Sequence, residues 1–284
     1  MQILLLEKYF RGEKKLPQPV FFRDDCYKGI GISKGLARGV QVMMDGVDLT
    51  QEGMGLGTIA IRSQGYTYFS QNSKVTWIDS QNMLLDYVID TVHLSSCKDV
   101  AYPLITRIRE LGVVLYRLVP AFQKAMLLTG IKVRRILGIK TIFVPVPPLA
   151  RAQFHFKFDT NRIEVCLNFY AIDGDIDEIF IMNELGADFF DFGWKGGCLT
   201  KPPSGWEVLE DTHSLPFLYS SNKHLRYSLS DIIVNQELPF KVCWGREQME
   251  DLCWAGFTIQ INPVVSSISG TICRYTLIFQ DADN

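Results

Sequence analysis

Residues 173–184, DGDIDEIFIMNE, place Asp173, Asp175, Asp177 and Glu184 at positions 1, 3, 5 and 12 of a calcium-loop spacing. Alternating carboxylates at that spacing can converge on one hard cation, so these four are the candidate ligands for calcium or magnesium. Position 6 is Glu178, where the sharp turn of such a loop requires glycine. The flanks also read as strands rather than helices. An acidic, solvated turn is therefore the competing account. A second group follows. Asp188 and Asp191 lie close to Trp194 and Trp206, and His213 sits in the polar loop EDTHSLP after a Gly/Pro-rich stretch. Carboxylates beside aromatic platforms suit acid–base work on a sugar, and a histidine in a loop on a β scaffold is a candidate proton carrier. Asp188, Asp191 and His213 are thus the candidate catalytic residues, and Trp194 and Trp206 the aromatic candidates for ligand contact.

Charge is segregated along the chain. From Leu111 to Phe158 there is no Asp or Glu, but eight Lys or Arg, among them Arg117, Lys124, Arg134 and Arg135. From Ile163 to Trp194 eight carboxylates occur with no Lys or Arg. Three explanations compete: the blocks neutralise one another, the basic block rests on an anionic membrane surface, or it holds an anionic ligand group. Arg117, Lys124, Arg134 and Arg135 are the candidate residues for the last two. Nucleic acid is a poor partner, because the net charge is −2 and no nucleic-acid-binding motif stands out.

Other motifs are weak. GIGISKGLARG at 29–39 is glycine-rich and Tyr219 to Lys223 has a YxxxK spacing, but strand-like VQVMM follows the glycines where a dinucleotide fingerprint needs a helix. No HExxH or Walker loop is present. The seven cysteines are odd in number and widely spaced, with no CxxC pair, which argues against a zinc knuckle and a secreted disulfide framework. The N-terminus reaches Glu7 and Lys8 after four apolar residues, so no signal-peptide core is expected there. A cytoplasmic location, with peripheral membrane contact, is the expectation.

The elements that must position these groups are mostly strands. QFHFKFDTNRIEVCLNF, 153–169, alternates cleanly. With a turn at Thr160-Asn161, Phe158 faces Ile163, Phe156 faces Val165 and Phe154 faces Leu167, while Lys157 meets Glu164 and His155 meets Cys166. Every apolar residue meets an apolar one, which explains the polar side as the wet face of a hairpin. Between 101 and 138 the period changes: Leu104, Ile108, Leu111, Leu115, Leu118, Phe122 and Met126 recur at steps of three and four and predict amphipathic helix. The expected organisation is a β region over 1–100, a helical insertion over 101–138 and a β region over 139–284, the two β regions able to share one core. The fold class is β-rich α+β, with antiparallel sheets in a sandwich or barrel-like arrangement. The functional expectation is a protein that binds a hydrophobic or lipid-like small molecule in a sheet-lined cavity, with its chemical transformation left open and the basic helices touching a membrane or an anionic ligand group. Two alternatives stand beside it: a carbohydrate-binding or carbohydrate-active β-sandwich using 173–213, and a non-catalytic, self-associating scaffold.

Overall fold

The computed structural model describes residues 20–23, 36–44, 47–50, 54–96, 140–195, 198–203, 205–209, 216–222, 224–235, 238–249, 252–263 and 268–281. The helical insertion expected over 101–138 lies outside the described residues, where helix is limited to one 3-10 turn, Ala187–Phe189. The described chain is otherwise antiparallel β-sheet. Its strands are β1 (Val20–Arg23), β2 (Val40–Met44), β3 (Val47–Asp48), β4 (Gly55–Ser63), β5 (Tyr66–Phe69), β6 (Ser73–Trp77), β7 (Asn82–Ser96), β8 (Lys140–Phe158) and β9 (Arg162–Ala171). The later ones are β10 (Glu178–Leu185), β11 (Phe192–Lys195), β12 (Cys198–Thr200), β13 (Gly205–Val208), β14 (Phe217–Ser220), β15 (Leu225–Val234), β16 (Phe240–Met249), β17 (Leu252–Ile261) and β18 (Ser269–Asp281).

Two compact units are present, one of residues 1–92 with 145–284, the other of 93–144. In the second, the described residues are the ends of β7 and β8, where the His93 and Phe143 rings lie 5.5 Å apart. In the first unit the strands form one sheet. One wing runs β13–β16–β17–β10–β4–β5. The other runs β8–β9–β18–β15–β14–β11–β12. β7 joins them: it pairs with β5 and β6. It also lies beside β8, where Phe158 N–H donates to the Gln81 carbonyl at 2.8 Å and Gln153 Nε2 to Asp86 Oδ1 at 2.8 Å. Strands from both ends of the chain thus enclose a common core.

That core is built by alternation. In the hairpin of β8 and β9, Phe154 pairs with Leu167, Phe156 with Val165 and Phe158 with Ile163, all buried, while Lys157 faces Glu164 and His155 faces Cys166. This is the register expected from the sequence. The three phenylalanines stack in a ladder with centroids 5.9 and 6.1 Å apart, continued by Trp77 at 5.7 Å from Phe158. The close approach of β4 to this ladder depends on Gly57. Its φ is +70°, and a Cβ there would lie 2.5 Å from Phe156 Cζ, so only glycine fits. The ends of the strand order also meet. A Cβ on Gly193 of β11 would lie 2.3 Å from the Trp244 ring of β16, and Lys195 of β11 pairs with Glu207 of β13.

Candidate functional site

The sequence of β10, EIFIMNEL, sets one polar residue among inward apolar ones: Ile179, Ile181, Asn183 and Leu185 share the inner face. Asn183 pairs with Phe257 of β17, and Phe257 pairs with Trp244 of β16. The three form one inward row across three adjacent strands, and each is no more than 1% exposed. Asn183 Oδ1 accepts from the Gly57 backbone N–H at 3.0 Å and from the Tyr275 hydroxyl at 3.1 Å. The backbone N–H can only donate, which fixes the amide orientation and turns Nδ2 to the other side. Among the described residues Asn183 Nδ2 has no hydrogen-bond partner, nor does Trp244 Nε1.

Tyr227 completes the cluster. Its hydroxyl donates to the Asn183 carbonyl at 3.2 Å, and its ring stacks on Phe279 at 5.0 Å and meets Phe257 edge-on at 5.3 Å. Burial pushes the Tyr227 and Tyr275 hydroxyls well above the ordinary tyrosine range, so both remain proton donors committed to Asn183. Ser220, on the inner face of β14, is fully buried, and its Oγ is also without a partner among the described residues. The result is an apolar, aromatic interior carrying orphaned polar groups, each of which costs about 1–3 kcal/mol when buried unpaired.

The next residue, Glu184, turns to the opposite face of β10, where it pairs with Gly256 of β17 and Gly55 of β4. It is 6% exposed, and Oε2 accepts from the Met54 N–H at 3.2 Å. Burial raises its carboxyl to about 7, opposed by the Met54 N–H and reinforced by the nearby Glu247 carboxylate. Glu247 is itself pushed up by burial and held down by a hydrogen bond from Trp254. A carboxyl that exchanges its proton near neutrality has the property a general acid or base needs, and Glu247, on the strand next to β17, is a second raised carboxyl near it.

The candidates from sequence are scattered. Asp173, Asp175 and Asp177 are exposed, and the strand β10 begins immediately after them. Positions 6 to 12 of the calcium spacing are therefore extended chain, at roughly 3.3 Å per residue, which carries Glu184 about 20 Å beyond Asp177. The four carboxylates do not converge, and no metal-holding group of three or more His, Cys, Asp or Glu occurs among the described residues. Asp188, in the 3-10 turn, is exposed and accepts from Gln248; Asp191 accepts from the Ser221 backbone N–H and hydroxyl. Trp194 stacks on Phe217 with centroids 5.8 Å apart, and Trp206 stacks on Trp254 at 4.0 Å. His213, Arg117, Lys124, Arg134 and Arg135 lie outside the described residues. Within the charge blocks, Lys157 pairs with Glu164 at 3.1 Å. Asn183, Trp244, Ser220 and Tyr227 were not among the sequence candidates. For Asn183 a signal existed: it is the single polar residue at inward parity in β10.

The fold and this interior define a β-rich protein built on one antiparallel sheet around an aromatic core with orphaned donors. No family model matches the chain, and no curated protein matches it. Among solved structures it is similar to the Slr1438 protein from Synechocystis sp. PCC 6803, over 96% of this chain and 100% of that one, at 7% identity and a TM-score of 0.37. So slight a likeness carries no functional argument.

Proposed function

We propose that this protein binds a hydrophobic, lipid-like small molecule within its barrel-like sheet. The observation that carries the reading is the Asn183 amide, fully buried among aromatic side chains with Nδ2 unpartnered. A buried donor in an apolar surround is the pattern of a ligand pocket, where a few polar groups orient a mostly apolar guest. The basic residues Arg117, Lys124, Arg134 and Arg135 serve in this reading to meet an anionic membrane surface from which such a guest is taken, which places the protein in the cytoplasm at a membrane periphery. The test is native mass spectrometry of protein purified without added ligand, with extraction of anything retained. A retained lipid-like molecule supports the reading. A ligand-free protein that also takes up no hydrophobic probe overturns it. Sedimentation with anionic vesicles, lost on reversing Arg134 and Arg135, tests the membrane part.

A second reading, carbohydrate binding, is favoured by one observation. On the outer face of β11 and β14, Phe192 stacks on Tyr219 at 6.5 Å beside the parallel Trp194–Phe217 pair, and Leu199 next to Trp194 is 54% exposed. Glycan titration that leaves Trp fluorescence unchanged removes it.

A further inference from the structure

We infer that this protein lies on an anionic lipid surface by its outer face around Leu199 and Trp206, where the two wings of the sheet meet. The inference rests on the membrane part of the preceding reading, for which it names the contact face, and it needs no interior guest.

Register sets the face. On one wing, Leu199 of β12, Trp194 of β11 and Phe217 of β14 form a single outward row. On the other, Trp206 and Val208 of β13 pair with Gly245 and Cys243 of β16, opposite in parity to inward Trp244. Trp206 stacks on Trp254 of β17. The wings approach through Gly193 against the Trp244 ring and through the Lys195–Glu207 pair, so the two outward rows flank one seam. Leu199, Trp206 and Val208 are 54%, 42% and 43% exposed. Single exposed apolar residues are ordinary, but a cluster of this kind marks an interaction surface.

The chemistry of the face sets its partner. Tryptophan joins an apolar body to one N–H, a combination favoured at the boundary between bilayer and water. Lys201, next to β12, is exposed, as is Lys241, two residues before Cys243 on the same face of β16. Neither forms an ion pair among the described residues. The carboxylates beside the rows are engaged, Glu207 by Lys195 and Glu247 by the Trp254 N–H. An apolar centre rimmed by unpaired cations complements an anionic lipid surface. β12 and β13 are three and four residues long and end the two wings. Their outermost backbone groups must stay in water, so the contact is shallow and made by side chains.

The test uses the full chain and phosphatidylcholine vesicles with and without phosphatidylserine. The unaltered protein should sediment with the serine-containing vesicles, and bromine on the upper acyl chains should quench its tryptophan fluorescence. Leu199→Ser with Trp206→Ser, both at exposed positions, should weaken binding at least about tenfold. Lys201→Glu and Lys241→Glu leave the apolar residues intact, and each should weaken it about fivefold or more. Binding that is lost on reversing Arg134 and Arg135 but unchanged in both sets of variants overturns this face while the membrane reading stands. Sedimentation without quenching also overturns it. A dimer in light scattering that Leu199→Ser with Trp206→Ser dissolves, with no vesicle binding, overturns the lipid assignment in favour of a second copy of the chain. Absence of vesicle binding by the unaltered protein overturns the membrane reading and this inference together.

Discussion

Replacing Glu184 by glutamine should remove a pH-dependent loss of stability between about pH 4.5 and 7. The carboxyl sits at about 7 in the folded chain against 4.5 when free, chiefly because burial disfavours its charge. Across that interval the folded state holds the proton more tightly than the unfolded chain, so stability falls as pH rises. The favourable contribution is complete below pH 4.5 and gone once the pH passes 7. At about 1.4 kcal/mol for each pH unit, the gap amounts to about 3 kcal/mol. Glutamine keeps an acceptor for the Met54 N–H and removes only the ionisation. Urea unfolding at a series of pH values from 4.5 to 8.5 is the assay. The unaltered protein should lose about 3 kcal/mol more than Glu184→Gln over this range. Glu247, raised in the same direction, contributes a residual slope to both proteins. Parallel pH profiles for the two would show that Glu184 is not the proton-holding group, and the argument would fail.

Other perturbations separate core from surface. Phe156→Ala, in the fully buried ladder, should cost about 3–5 kcal/mol in thermal or urea unfolding, while Lys157→Ala next to it should cost less than about 1 kcal/mol because its pair with Glu164 is exposed; equal costs would contradict the hairpin's facing. Gly57→Ala must strain a left-handed backbone and push Phe156, so a loss of about 1–3 kcal/mol is expected in the same assay. With Ellman's reagent, exposed Cys198 should react in the folded protein, while Cys273, pushed up to about 12 by burial and by Cys166, should react only on unfolding. Labelling of Cys273 at the rate of Cys198 would show that this part of the core opens.

What the sequence determined by itself is local. The register of β8 against β9 was legible because a short turn joins the strands and the period-two pattern admits only one alignment that buries Phe154, Phe156 and Phe158 together. The antiparallel, β-rich class followed from the same alternation repeated along the chain. The carboxylate spacing at 173–184 was legible as a pattern but misleading as a site, because spacing along a chain says nothing of convergence once β10 runs extended through it. The inward parity of Asn183 could be counted from its neighbours, yet its meaning could not. Its partners lie at Gly57, Tyr227 and Tyr275, and its row companions at Phe257 and Trp244, so only the pairing of strands distant in sequence brings them together. The tertiary structure alone decided which donors the fold leaves unpaired, since a hydrogen-bond deficit belongs to the packed interior as a whole and is encoded in no single segment.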